Sequence, residues 1–246
     1  MILSKQNQYV KRLALLKDKK GRKDLGEYLA EGEKAVSEAV RLGLDIGVIL
    51  AVPELYPLYK DSGYTVFETD KNVLSACSDE VTPQGVVASV KIPPSPDIKD
   101  ALKGVSILLD GVKDPGNVGS IIRTCAALNV KNVILRDCAD VYSPKCVRSS
   151  MCGIYHVCPV KVDCDPKDVF DGVNVIVCDM GGENVFDFVP PEKFCLVMGS
   201  ESHGVSDFFK KRADHTLKLL MSEKAESLNV AVAGSLILYQ LLKKPL

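Results

Sequence analysis

The strongest constraint on the fold is a set of short, unbroken apolar runs in the second half of the chain. Val105-Ser-Ile-Leu-Leu109, Val133-Ile-Leu135, Val173 to Cys178, Cys195-Leu-Val-Met198 and Thr216 to Leu220 are rich in β-branched residues. Their length and composition predict strands, and Ser120 to Leu128 between them predicts a helix. The runs lack the polar alternation of a strand with one wet face, so both faces need cover. That requirement points to an α/β fold with a mostly parallel sheet between layers of helix. Leu228 to Leu242 predicts a last helix that is apolar nearly all the way round. A helix without a polar face must be buried on several sides, which favours a subunit interface as well as a core.

Ile92-Pro-Pro-Ser-Pro-Asp97 is the clearest boundary, because its prolines stiffen the chain and exclude regular structure. It divides the sequence into a domain over 1–92, a linker over 93–100 and a domain over 101–246. In the first domain Ala35, Val36, Ala39 and Val40 recur at helical spacing, and Gly43 stands where a helix would stop. Val48 to Val52 and Tyr64 to Phe67 predict strands, giving a small α/β module. Its leading edge carries Lys5, Lys11, Arg12, Lys17, Lys19, Lys20, Arg22 and Lys23, opposed only by Asp18. Leu13, Leu16 and the stem of Lys17 would form the apolar face of a helix there. Taken on charge alone, such a run reads as a solvated helix face before it reads as a nucleic-acid contact.

Bulk properties narrow the function classes. Apolar residues at 46% and charged residues at 26% describe an ordinary globular protein. No apolar run approaches a membrane span, and the stretch from Met1 to Tyr9 is too polar for a signal peptide. A formal net charge of −1 does not decide for or against an anionic partner, since local charge governs docking. The nine cysteines are Cys77, Cys125, Cys138, Cys146, Cys152, Cys158, Cys164, Cys178 and Cys195. Their number is odd, none form a C-x-x-C pair, and several sit inside apolar runs. With only His156, His203 and His215 beside them, the expectation is buried reduced thiols, no metal site and a cytoplasmic location.

Three segments following apolar runs carry groups that no core requires. Asp110-Gly-Val-Lys-Asp-Pro-Gly-Asn-Val-Gly-Ser-Ile-Ile-Arg123 supplies tight-turn glycines, the amide of Asn117 and the guanidinium of Arg123. It lacks both the P-loop ending and the dinucleotide fingerprint, so neither an NTPase nor a dehydrogenase is supported. Val197-Met-Gly-Ser-Glu-Ser-His-Gly-Val-Ser206 places Glu201 among small residues, where its plainest role would be to cap the next helix. Met221-Ser-Glu-Lys-Ala-Glu-Ser-Leu-Asn-Val230 opens the last helix, with Ser227 as the simplest N-cap and Asn229 in the first turn. Ligand-binding loops of α/β proteins lie at such strand ends, and three with this content suggest one composite site.

In this order and spacing the segments resemble the three motifs of the SpoU (TrmH-like) RNA ribose 2′-O-methyltransferases of the SPOUT superfamily. Asn117, Gly119 and Arg123 match the first motif, Gly199, Glu201 and Gly204 the second, and Ser227, Leu228 and Asn229 the third. Ser143-Pro-Lys145 and Arg148-Ser-Ser150 are similar to a connecting segment of that family. Glu31-Gly-Glu-Lys34 and Pro83-Gln-Gly-Val-Val-Ala88 are similar to its N-terminal substrate-binding domain, of ribosomal-protein-like fold. Leu220 and Cys152 depart from the pattern where many members have proline and glycine, and Ser202 replaces a frequent glycine.

The resemblance implies a methyltransferase domain whose C-terminal part forms a trefoil knot, an exception to unthreaded topology. It implies S-adenosyl-L-methionine as cofactor, held by Gly199, Leu219, Met221 and Leu228, and a homodimer with the active site at the subunit interface. Catalytic roles fall to Arg123, Asn117, Glu201, Ser227 and Asn229. The counterpart of Arg123 is often assigned as a base, but a guanidinium with a pKa above about 12 is better suited to donating to oxygen. Lys19, Lys20, Arg22, Lys23 and Arg148 become candidate RNA contacts. The substrate expected is ribosomal RNA of the 23S type; the alternatives are transfer RNA, or a non-catalytic RNA-binding assembly protein retaining the fold.

Overall fold

The computed structural model describes residues 1–162, 169–222, 224 and 227–243; Cys164 and part of the third segment (Glu223, Ala225 and Glu226) lie outside them. The chain divides into two compact units, Met1–Pro94 with Tyr142–Tyr155, and Ser95–Val141 with His156–Leu246. The division after Pro94 falls inside the proline-rich segment. The domain expected to run unbroken over 101–246 is interrupted, because Tyr142–Tyr155 packs with the first unit.

The first unit runs α1 (Gln8–Leu15), α2 (Lys19–Leu25), β1 (Glu27–Glu31), α3 (Glu33–Arg41), β2 (Ile46–Ala51), α4 (Tyr56–Tyr59), β3 (Val66–Glu68), α5 (Lys71–Cys77) and β4 (Val86–Lys91). Its sheet has the order β1-β4-β2-β3, parallel only between β2 and β3. Leu13 and Leu16, expected on an apolar face, are buried in its core with Leu50, Val73 and Leu74. The basic stretch is two helices meeting at a tight corner. A Cβ on Gly21 would lie 2.0 Å from the Leu15 carbonyl oxygen, so only glycine permits the approach. Arg22, 4% exposed, donates to the carbonyls of Leu16 and Lys17 at 2.8 Å each.

The second unit begins with α6 (Ile98–Ala101), β5 (Ser106–Asp110), α7 (Pro115–Ala127) and β6 (Asn132–Arg136). After α8 (Pro144–Ser149), which belongs to the first unit, come β7 (Cys158–Lys161), β8 (Val175–Asn184) and β9 (Cys195–Gly199). The described part closes with α9 (Asp207–Arg212), β10 (His215–Lys218) and α10 (Val230–Leu242). The six strands have the order β10-β8-β9-β5-β6-β7, and every pairing is parallel. All residues of β5 are buried, as an unbroken apolar run predicts. Leu108, Ile134, Val177 and Val197 form the core with Phe170 and Phe209.

Helix α7 starts five residues before the predicted Ser120. Asp114 is its N-cap, with Oδ1 accepting from Asn117 N at 3.0 Å, and Pro115 takes the first position, where a missing N–H costs nothing. The helix ends on Asn129 at φ +57°, with Val130 N donating to the Cys125 carbonyl at 2.8 Å, a Schellman-type stop. The predicted strand over Thr216 to Leu220 stops at Lys218, leaving Leu219 and Leu220 outside the ladder. No described helix is long and apolar enough to cross a membrane.

Candidate active site

The strand order places β5 between β6, which follows it through α7, and β9, which comes from the other direction. Crevices outside the carboxyl ends of strands at such a reversal are where α/β sheets bind ligands. Asp110 and Gly199 are register partners at those ends. The loop after β9 doubles back on itself: Ser200 N donates to the Gly204 carbonyl at 3.1 Å and Gly204 N to the Ser200 carbonyl at 2.9 Å. Gly204 turns at φ +65°. A Cβ on Gly199 would lie 2.0 Å from the Gly204 carbonyl carbon, so the second motif needs glycine for close backbone packing.

Three of the expected catalytic side chains meet directly. Asn229 Nδ2 donates to Asn117 Oδ1 at 2.9 Å, and Asn117 Nδ2 donates to Glu201 Oε1. Each motif thus contributes one member to a single chain of hydrogen bonds. Two expectations are corrected here. Asn229, not Ser227, is the N-cap of α10, with Oδ1 accepting from Ala231 N at 2.9 Å and Val232 N at 3.3 Å. Glu201 does not cap α9; Ser206 occupies that position.

Beside this chain lies a cavity of about 350 Å³. Gly199, Leu219, Met221 and Leu228, the expected cofactor residues, all line it, as do Glu201, Ser227 and Asn229. Leu219, Met221 and Leu228 stand outside helix and strand, so their peptide groups are not consumed by a ladder. Met198, Leu217 and Ile237 give the wall an apolar part. Free backbone donors and acceptors around an apolar slot suit a nucleoside joined to a short apolar chain.

Arg123 lies on α7 away from the cavity wall. The sequence contains seven arginines, and the other six are engaged: Arg12 with Glu27, Arg22 with carbonyls, Arg41 with Glu38, Arg136 with Asp110, Arg148 with Glu31 and Asp79, and Arg212 with Asp214. Arg123 alone is exposed and has no hydrogen-bond or ion-pair partner among the described residues.

The expected RNA contacts separate into two kinds. Lys19, Lys20 and Lys23 are exposed on α2, and Lys5 and Lys11 are exposed nearby. Arg22 and Arg148 are corrections, because their guanidinium groups are used within the first unit. Arg148 donates to Glu31 Oε2 at 3.0 Å and to Asp79 Oδ2 at 2.9 Å. It joins Tyr142, stacked on Tyr28 at 5.0 Å, and Tyr155, whose hydroxyl donates to the Ala35 carbonyl at 3.2 Å. Burial raises the Glu31 carboxyl above its usual range, against the lowering by the Asp79 N–H and Arg148. Lys17 is likewise spent, on the Ala76 and Ser78 carbonyls. Cys152 sits at φ +70°, the conformation for which glycine would be chosen, and Met151 precedes it at φ +48°.

The sequence reading missed the cavity lip formed by Cys178, Asp179 and Met180. Ile176 and Val177 pair with His215 and Thr216, but Leu217 pairs with Glu183, so residues 178–182 bulge out of register. The Gly181-Gly182 pair was the available signal: a Cβ on Gly182 would lie 2.5 Å from the Thr216 carbonyl oxygen. Asp179 is held below the usual carboxylate range by the Gly181 N–H and by Lys210 at 3.2 Å. Burial pushes the Cys178 thiol up to about 12, so it is no nucleophile at neutral pH. All eight described cysteines are free; Cys77, Cys125, Cys146 and Cys195 are buried as expected, whereas Cys138, Cys152 and Cys178 are only partly buried and Cys158 is exposed. No group of three or more metal-binding side chains occurs among the described residues.

Residues 104–239 match the SpoU rRNA Methylase family, and residues 7–88 match the MRM3-like substrate binding domain. The chain belongs to the SpoU family. It is 32% identical over 247 residues to the 23S rRNA (guanosine(2553)-2′-O)-methyltransferase RlmP of Bacillus subtilis, covering 98% of each chain. It is 30% identical to the 23S rRNA (uridine(2479)-2′-O)-methyltransferase of Streptomyces viridochromogenes, covering 99% of this chain and 92% of that one. Among solved structures, the SpoU methyltransferase AviRb from Streptomyces viridochromogenes, in complex with the cofactor AdoMet, superposes with a TM-score of 0.84 at 28% identity. That match covers 96% of this chain and 97% of the other. A TrmH-family RNA methyltransferase from Porphyromonas gingivalis, described as putative in its own right, reaches a TM-score of 0.86 at 28% identity, over 98% of each chain. Asn117, Glu201 and Asn229 all lie within the matched span.

Proposed function

We propose that the chain transfers a methyl group from S-adenosyl-L-methionine to a ribose 2′-hydroxyl of ribosomal RNA. One observation carries this reading. Arg123, the one arginine without a partner among the described residues, stands on α7, and the first turn of that helix is tied by Asn117 to both Glu201 and Asn229 on the cavity wall. The bound cofactor supplies an electrophilic methyl on a sulfonium. Leu219, Met221 and Leu228 would hold it through backbone groups, and Gly199 would leave room for the loop to close over it. Asn117, Glu201 and Asn229 keep α7 and α10 in one geometry, which is where most of the acceleration of a methyl transfer resides. Arg123 donates to the ribose oxygen as negative charge develops there, and Ser227, on the cavity wall, orients the sugar.

The exposed lysines of α2 supply the RNA surface, through phosphate and shape rather than base identity. A homodimer is supported by α10, whose buried side packs in the second unit while Val232, Leu236 and Tyr239 form a stripe 48%, 50% and 62% exposed. An uncovered apolar stripe of this kind marks an association face. Leu236→Glu should therefore yield a monomer in sedimentation velocity, and an unchanged dimer would discard this face. The return from the edge strand β10 to α10, which packs on α7 and β9, supports the trefoil knot. With ribosomal RNA as substrate, the reaction is assigned to the cytoplasm.

Incubating the protein with radiolabelled cofactor and separate RNA pools tests the reading. Label should enter ribosomal RNA and survive alkaline hydrolysis within dinucleotides, because a blocked 2′-oxygen cannot cleave its own phosphodiester. Label in transfer RNA alone would shift the substrate class, and binding without label would leave a non-catalytic RNA-binding protein.

A further inference from the structure

The most enclosed carboxylate near the site has no part in the chemistry described above. Asp110 ends β5 and is 4% exposed, and both of its oxygens are used. Oδ1 accepts from Arg136 Nη1 at 2.6 Å, across the register pair that joins β5 to β6. Oδ2 accepts from the backbone N–H of Ser206 at 2.8 Å. Ser206 is where the loop after β9 ends and α9 begins.

This loop leaves the sheet at Gly199, the register partner of Asp110, and returns at Ser206 to the carboxylate of that same residue. Its middle is closed by the paired bonds between Ser200 and Gly204. Its tip carries Glu201, which accepts from Asn117 and lines the cavity. The loop is also held at its departure, across its own neck, by Glu201 on Asn117 and by the buried Val205, and the bond at Ser206 fixes where its return meets the sheet. Arg136 keeps the carboxylate aimed, and its guanidinium also lies 6.0 Å from the Phe209 ring centroid, on the helix the loop runs into.

We infer that Asp110 is a positioning residue for methyl transfer: it fastens the return of the loop after β9 and so sets where Glu201 meets Asn117 and how the loop covers the cofactor. A bare core role would be met by any buried partner of Arg136. A positioning role requires the specific acceptor for Ser206 N, because a part-buried N–H that loses its acceptor drives the loop to rearrange. The inference rests on the methyltransferase reading above.

The test compares Asp110→Ala and Asp110→Asn, each also in a Glu201→Ala background, by cofactor calorimetry and steady-state methyl transfer. Asp110→Ala should weaken S-adenosylmethionine binding about tenfold and lower kcat about tenfold, because the part-buried Ser206 N–H loses its charged acceptor and Arg136 loses its partner. Asp110→Asn keeps an oxygen for Ser206 N and should hold cofactor affinity within about threefold of the original. In the Glu201→Ala background the kcat loss from Asp110→Ala should vanish, since the loop no longer carries the group it positions. An equal further loss in that background, or an Asn variant as impaired as the Ala one, would overturn the assignment. If Asp110→Ala does not fold, the Asn variant alone decides: native circular dichroism with a tenfold loss of cofactor affinity sinks it. Absence of methyl transfer by the unaltered chain would instead sink the methyltransferase reading, and cofactor affinity would still report on the loop.

Discussion

The two units use their cationic side chains in opposite ways. In the first, every arginine is spent on architecture, through Glu27, Glu38, Glu31 with Asp79, or helix-end carbonyls, while Lys19, Lys20 and Lys23 face solvent. In the second, Arg136 and Arg212 are likewise engaged, and Arg123, on the helix that Asn117 ties to Glu201 and Asn229, has no partner among the described residues. A planar guanidinium with five donors is an efficient internal brace, whereas a lysine ammonium is a mobile point charge suited to an irregular phosphate surface. An arginine held in reserve therefore marks chemistry, and lysines held in reserve mark docking.

Removing the reserved arginine is the severest way to challenge this contrast. Arg123→Ala should lower methyl transfer about 10²- to 10³-fold, the usual loss for a donor to a developing oxyanion. Cofactor affinity in calorimetry should stay unchanged, and a parallel loss of both would make Arg123 another brace. Next in size is Gly199→Ala, whose new methyl meets the Gly204 backbone. Overpacking of this kind costs about 1–3 kcal/mol, so cofactor affinity should drop about tenfold or more; normal affinity would show that the loop yields.

The first unit offers a paired test. Neutralising Lys19, Lys20 and Lys23 should weaken RNA binding and reduce the salt slope by about 0.7 for each phosphate of single-stranded RNA that is no longer neutralised. Arg22→Ala should leave that slope alone and lower stability by about 1–3 kcal/mol, because two buried carbonyls lose their donor. If both variants alter the slope alike, the division between bracing arginines and docking lysines fails.

Two smaller effects sharpen the picture. Cys152→Gly should stabilise the chain by about 1 kcal/mol in urea denaturation, by relieving a left-handed non-glycine residue. A lower midpoint would mean the thiol packs better than the backbone suffers. Glu31 has a raised carboxyl pKa in the fold, so its protonated form favours the folded state. That contribution is complete below the ordinary glutamate value and is lost as pH rises through the folded one. Glu31→Gln should flatten the pH dependence of the urea midpoint in that window, and an unaltered profile would contradict the burial.

Much of this was legible in the chain. Val105 to Leu109 and Cys195 to Met198 announced central strands because a strand buried on both faces has no polar positions to blur it. Asn117, Glu201 and Asn229 stood out because small polar groups after such strands have no packing reason to be there. The predicted start of α7 at Ser120 was late because Asp-Pro-Gly reads as a turn, although Asp114 and Pro115 are also a helix cap and first position. The lip at Cys178 to Met180 was hidden by a register slip, which depends on a partner strand far along the chain. Arg22 and Arg148 were misread for a related cause, since a charge count cannot tell a guanidinium facing water from one facing carbonyls.

The sequence by itself determined the α/β class, the three motifs and the polar groups they carry, since periodicity and residue chemistry are local. Only the tertiary structure decided that Asn229 both caps α10 and binds Asn117, that Asp110 fastens the loop of Glu201, and that one arginine of seven has no partner among the described residues. Hydrogen bonds and ion pairs between residues far apart in sequence depend on how separate strands come into register, and no short window of residues contains that information.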